Sequence, residues 1–386
     1  MIKGNDNNVD PILYITVIIL VLFGIVMVFS ASFYGNIAES ESPYYYLIRA
    51  SSWAAGGVAL MILATFIPYT VYEKLALPII IVSGILLVIL YIPGIGTTIN
   101  NATRWIYIGP ISIMPGELAK ISTVIFTAWY YTKYADLTVN FKRRFAYISG
   151  LIVAFFLLIY EQPNLSTAVT IVLTMIAVMF VAGVKIRFLL ILIVGGIIGV
   201  TLLILSNAGE HLNRIAVYLD PFSDALGEGF QTVQSLIALG TGGLFGVGLG
   251  NSVQKALWLP EAQTDFIFAI IGEEVGFIGC ILILIVYLVL IWRCLLIVLT
   301  SKTRFTMLLG AGITILLTLQ VVLNIGVVTN LIPPTGVILP FISYGGNAML
   351  IFMFLMGVLQ NIARGGRGLP FKRPFKKKKK LETEAA

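Results

Sequence analysis

Residues 12–32 read ILYITVIILVLFGIVMVFSAS, about twenty consecutive positions without a charged side chain. At about 1.5 Å per residue, a helix of that length crosses the roughly 30 Å hydrocarbon core of a bilayer. The same pattern recurs outward from this block and predicts ten spans. The first five are Ile12–Ser32, Tyr46–Ile67, Lys74–Ile92, Gly116–Thr132 and Phe145–Tyr160. The rest are Leu165–Gly183, Ile186–Ser206, Thr264–Leu299, Thr306–Leu331 and Pro340–Ile362. The eighth is long for one crossing and is expected to tilt, kink or project. Of the 386 residues, 59% are hydrophobic and 11% charged, where soluble domains carry about a quarter charged. That composition excludes a water-soluble enzyme and predicts an all-α, polytopic membrane protein. Ser30-Ala31-Ser32 has the look of a signal-peptidase site. The apolar run before it is too long for a signal segment, and Lys3 is its only preceding base, so the first span is read as retained.

Lysine and arginine set the orientation. With the N-terminus cytoplasmic, the inner segments hold twenty of the 25 bases, the outer loops hold Arg104, Arg214 and Lys255, and Arg49 and Lys120 fall within spans. An even number of spans then places both termini in the cytoplasm. A large outer loop, residues 207–263, separates spans seven and eight. Residues 1–364 are read as one transmembrane domain. Residues 365–386, ending in Lys376–Lys380 and two glutamates, are read as a disordered basic tail. Such a run suits an anionic inner leaflet better than nucleic acid. Cys280 and Cys294 lie fourteen positions apart in one apolar block, about 21 Å along a helix and too far to bridge. The single histidine, His211, argues against a histidine metal cage or a Ser-His-Asp triad and reads as an exposed loop residue.

Four polar islands interrupt the apolar pattern, each at the outer end of a span. In the first, Glu117 and Lys120 are three apart on one helical face, suited either to an ion pair or to a phosphate-facing cation. Upstream of them, Arg104 stands beside Trp105 and would suit an anionic or sugar ligand. The second island is Glu161-Gln162-Pro163-Asn164. The third closes the outer loop: Trp258-Leu259-Pro260-Glu261-Ala262-Gln263-Thr264-Asp265-Phe266. Asp265 opens a very apolar helix, either as a helix-terminal acid with Thr264 as cap or as a functional carboxylate. Glu273 and Glu274 follow it inside the span and are expected to face a wet cavity or a cation. The fourth island runs from Pro333 to Asn347, where unwound backbone is expected to line a cavity. The glycine run from Gly240 to Gly250 lacks the Lys-Ser/Thr ending of a nucleotide loop and reads as close backbone packing, with a phosphate or sugar as candidate occupant.

Taken in order, Gln231–Gly250, Leu259–Phe268, Asn324–Thr329 and Leu339–Gly346 resemble the SEDS family (shape, elongation, division and sporulation), the group that contains RodA, FtsW and SpoVE. The likeness runs from the first span to about Arg364 and leans towards the FtsW/SpoVE branch. Gly116, Asn164 and Asn347 depart from the family's usual Ser, Asp and Ser. The resemblance implies a glycosyltransferase that polymerises lipid II on the outer face of a bacterial membrane, for division, cell shape or sporulation. Its implied partners are a class B penicillin-binding protein and other division or elongation membrane proteins. Asp265 matches the family's essential aspartate and is the expected catalytic base. Arg104, Lys120, Arg214 and Lys255, with Glu117, Gln162 and Ser343, are the expected diphosphate- or sugar-binding residues. A divalent cation such as Mg2+ or Mn2+ near Asp265 is the only cofactor expected. A lipid II flippase and a non-catalytic scaffold for the transpeptidase are the alternatives.

Overall fold

A computed structural model of the chain describes residues 9–366 except 39, 100, 101, 110, 137–139, 207–215 and 257. His211 and Arg214, and the tail from residue 367 onward, therefore lie outside the described residues. All ten predicted spans contain a long helix. The first group comprises α1 (Pro11–Ala38), α2 (Tyr45–Phe66), α3 (Tyr69–Ile89), α4 (Pro115–Lys133), α5 (Phe141–Tyr160), α6 (Leu165–Val181) and α7 (Ile186–Ser206). After the short α8 (Phe230–Gly242) come α9 (Ile267–Leu299), α10 (Arg304–Val328) and α11 (Gly346–Ala363). Among the described residues, seven helices are long and apolar enough to cross a membrane. The all-helical expectation needs one amendment. Between α3 and α4 the chain forms a small antiparallel sheet of β1 (Gly96–Ile99), β2 (Ala102–Ile108) and β3 (Ile111–Ile113). Its alternating Thr-Arg-Trp-Ile-Tyr-Ile run has the two-residue period of a strand, a signal that is short beside the spans.

Local chemistry explains the helix ends. Pro115 starts α4, where a missing N–H costs nothing. Asn164, the departure from the family pattern, caps α6 by accepting from the Thr167 N–H. Thr303 and Thr306 form a reciprocal capping box at α10. On α1, Ile15, Ile19, Leu22 and Val26 are exposed along one stripe while Leu13, Val17, Leu20 and Met27 are buried on the other. Only lipid accommodates that outer stripe at no cost, and the protein is a multi-pass membrane protein.

Helices α10 and α11 form the enclosed centre. Small residues let backbones approach there: a Cβ on Gly357 of α11 would lie 2.3 Å from the Met61 carbonyl oxygen of α2. A Cβ on Gly24 of α1 would meet the Phe341 carbonyl oxygen at 2.6 Å, so α1 presses directly on the unwound segment before α11. Residues 342–346 of that segment line a small recess against α1 and α2, and Pro333, Pro334 and Gly336 before them are exposed. Phe341, Ile342 and Ser343 are buried, and the Tyr287 hydroxyl donates to the Pro340 carbonyl.

The eighth span is kinked. Gly276 breaks α9 with φ 72°, and the glycine run after α8 repairs the broken ladder. Val247 and Gly248 donate N–H groups to the Glu273 and Glu274 carbonyls at 2.9 and 3.0 Å, while Phe277 and Ile278 donate to Gly243 and Leu244 at 2.9 and 3.1 Å. A Cβ on Gly246 would sit 2.2 Å from the Glu274 carbonyl oxygen, so glycine is required for that pairing. Close backbone packing is thus what the run does.

Candidate active site

Asp265 occupies the turn just before α9. The helix begins at Ile267 with Phe266 in the cap position and no side-chain cap bond, so neither Asp265 nor Thr264 caps it. The Thr264 hydroxyl instead donates to Glu261 Oε2 at 2.8 Å. Three successive carbonyls of this turn are held by three separate groups. Gln263 accepts from the Tyr344 N–H at 2.9 Å, Thr264 from the Ser343 hydroxyl at 2.6 Å, and Asp265 from Asn324 Nδ2 at 2.8 Å. The backbone is therefore fixed while the carboxylate stays unclaimed by any of these bonds. Asn324 also donates to the Val337 carbonyl at 2.6 Å. That bond draws in Gly336, where a Cβ would stand 3.3 Å from Asp265 Oδ2. Gly336 has φ 69°, a conformation glycine adopts freely, and its bare backbone leaves room beside the carboxylate.

Arg104, on β2, faces the same carboxylate. Its Nε donates to the Gln162 carbonyl at 3.3 Å and an Nη donates to the Pro163 carbonyl. Gln162 is itself anchored, donating from Nε2 to the Leu87 carbonyl at 3.2 Å. Burial and, after it, the Glu261 charge raise the Asp265 carboxyl while Arg104 lowers it, and together they leave it at about 6. Burial lowers the Arg104 pKa from its ordinary value, and the Asp265 charge works against that. A carboxylate poised near neutrality beside a guanidinium can accept a proton while the cation steadies developing negative charge.

The structure thus unites parts of three islands, with Arg104, Gln162, Asp265, Gly336 and Ser343 around one turn. It gives several of them tasks other than the expected contact with ligand. Ser343 is buried between the Leu339 N–H and the Thr264 carbonyl, and Gln162 between Leu87 and Arg104, so both position the site. Lys120 is committed to Glu117 at 2.6 Å, with both side chains buried. Lys255 is committed to Glu274 at 2.6 Å and to the Ser30 hydroxyl at 2.8 Å. Buried carboxylates hold both lysines, since an unpaired buried ammonium is costly. Of the two acids inside the span, Glu274 faces a cation as expected. Glu273 instead accepts from the Ser252 hydroxyl and the Val253 and Gln254 N–H groups, and faces no wet cavity. Asn324 was missing from the expected site. Its signal was available, since a fully buried amide within an apolar span needs partners.

Among the described residues, no group of three or more His, Cys, Asp or Glu side chains is arranged to hold a metal ion. Asp265 and Glu261 alone do not make a resident site for a divalent cation.

Comparison with known proteins sets this geometry in a family. The family model described as "Cell cycle protein", FtsW/RodA/SpoVE, matches residues 11–367. Stage V sporulation protein E of Bacillus subtilis is 39% identical over 358 residues, covering 93% of this chain and 98% of that protein. The probable peptidoglycan glycosyltransferase FtsW of Geobacter sp. strain M18 is 36% identical, covering 93% and 98%. Among solved structures, a chain from work on polymerisation and crosslinking by a peptidoglycan synthase complex superposes with TM-score 0.76 at 26% identity, covering 92% of this chain and 98% of that one. The crystal structure of the Thermus thermophilus rod shape determining protein RodA gives 0.68 at 26% identity, covering 93% and 97%. A match over nearly the whole length, in sequence and in fold, carries one conclusion: this chain belongs to the FtsW/RodA/SpoVE family.

Proposed function

We propose that this chain is a peptidoglycan glycosyltransferase that polymerises lipid II at the outer face of a bacterial cytoplasmic membrane, with Asp265 as general base. The observation that supports it most is the Asp265 carboxylate, raised towards neutrality, on a turn pinned at three carbonyls and facing Arg104. The acceptor 4-hydroxyl oxygen attacks the donor's anomeric carbon from the side opposite the diphosphate. A carbon–oxygen bond forms as the bond to the diphosphate breaks, and its electron pair leaves on the polyprenyl diphosphate. The hydroxyl proton passes to Asp265. One displacement turns the α-linked donor into a β-linked product. A carboxylate with a pKa of about 6 is ionised at neutral pH yet more basic than an ordinary one. Arg104 stabilises the departing charge.

Lys120 and Lys255 take no part in this scheme, and Arg214 is retained as a proposed second cation for the diphosphate. A divalent cation would enter with the diphosphate and find Asp265 as one ligand; no step is routed through it. The proposed partner is a class B penicillin-binding protein, which supplies the transpeptidase, together with other division or elongation membrane proteins.

The test is incubation of the purified protein with labelled lipid II, with and without the class B partner. Glycan ladders from the wild type, reduced about 10²–10⁴-fold in Asp265→Ala and Asp265→Asn, are expected. Normal ladders from both variants would overturn the role of Asp265. Translocation of lipid II in liposomes with no glycan would replace the enzyme by the flippase. Normal growth with an Asp265 variant as the sole copy would favour the scaffold.

A further inference from the structure

Next to Gln162 and Pro163, whose carbonyls hold Arg104, lies a cleft of about 480 Å³. It opens between the end of α3, the sheet, and the turn joining α5 to α6. That volume lies within the range of small-ligand sites, about 300–1,000 Å³. Tyr91, Thr98, Thr103, Glu161 and Gln162 contribute the polar part of its lining, which includes no lysine or arginine. A diphosphate would meet only the Glu161 carboxylate there and would be repelled. A neutral, hydroxyl-rich ligand would find acceptors and donors on every wall. The Tyr91 hydroxyl donates to the Leu158 carbonyl at 2.5 Å, which holds its half-exposed ring as a fixed apolar platform. The Thr98 and Thr103 hydroxyls sit 2.7 Å apart on neighbouring strands. An aromatic plate with hydroxyls and a carboxylate at its edge is the chemistry that holds a sugar ring.

The cleft shares a wall with the active site. Gln162 and Pro163 line it and hold Arg104 through their carbonyls, and Arg104 in turn interacts with the Asp265 carboxylate. We propose that this cleft is a saccharide subsite, occupied by an already joined sugar of the growing strand beyond the reacting pair. The proposal rests on the glycosyltransferase reading above: an enzyme that lengthens a polymer repeats the same sugar chemistry on the product side of its catalytic groups. Glu161 accepts from a sugar hydroxyl or acetamido N–H, and the Tyr91 ring covers an apolar sugar face.

Two measurements on the full-length protein test it. In the first, saturation-transfer NMR with chitotetraose reads binding without turnover. Wild type is expected to show transfer that falls at least fivefold in Glu161→Ala and in Thr98→Trp, which fills the cleft from an exposed strand position. Transfer equal to wild type in both variants would overturn the subsite. In the second, strand length is measured from lipid II. In both variants the median strand is expected to shorten at least threefold more than turnover falls, and an unchanged length distribution would overturn the proposal. The two readings fail separately. A wild type that makes no ladder under any condition sinks the glycosyltransferase, whereas wild-type ladder lengths in the cleft variants sink the cleft alone.

Discussion

The Asp265 carboxyl is useful because its surroundings disagree about its charge. Burial and Glu261 favour the protonated form, and Arg104 favours the ionised one. A base must be ionised to act, so activity is expected to fall as pH drops through about 6. Glu261→Gln removes a raising influence and should move that acidic limb of the kcat/KM profile to lower pH. Arg104→Gln removes the lowering one, should move the limb upward, and should also weaken substrate binding. Shifts in the same direction from both variants would contradict this balance. Stability carries the opposite sign. A carboxyl whose folded pKa is raised stabilises the fold below the ordinary carboxylate range and loses that contribution as pH rises through about 6. Asp265→Asn should therefore melt no lower than wild type at pH 8 while losing turnover, which separates a chemical role from a structural one.

At the scale of elements, α9 is the part under most constraint. Its kink at Gly276 stays hydrogen-bonded only because the glycine run after α8 approaches within backbone distance. Gly276→Ala would force a side chain to φ 72° and 2.2 Å from the Gly246 nitrogen. The strain alone is about 1–3 kcal/mol, and a lower melting temperature in detergent is the expected readout. The same region is closed by the buried Lys255–Glu274 pair. Breaking it by Glu274→Ala leaves a buried ammonium and should cost about 3–5 kcal/mol. The double variant Lys255→Met with Glu274→Gln should recover most of that loss. If the double variant is as unstable as the single, the cation is needed for something other than its partner.

At the scale of the whole molecule, the fold gathers outer-end segments that are far apart in the chain and leaves the apolar helix faces to lipid. The charge asymmetry of the loops predicts which side each end faces, and cysteine labelling of intact cells checks it. Cys280 and Cys294 are buried and should stay silent. A cysteine at Leu226, almost fully exposed, should react with an impermeant reagent from outside. A cysteine at Lys302, in the turn between α9 and α10, should react only after the membrane is opened. The reverse pattern would invert the assignment of both termini.

Helices long enough to cross a bilayer were legible in one dimension, because a span is a local property: twenty apolar residues suffice wherever the rest of the chain lies. The sharp turn of glycines and the importance of Asp265 also left marks on short stretches, the latter through resemblance to a family. Which cation faces that carboxylate was decided in three dimensions. Arg104, Lys120, Arg214 and Lys255 look alike as letters. Packing gave Lys120 and Lys255 buried carboxylates of their own and set Arg104, on the small sheet, near Asp265. The roles of Ser343, Gln162 and Asn324 followed in the same way, since a buried polar group takes whichever partner the fold brings within 3 Å or so. No spacing along the chain encodes that choice.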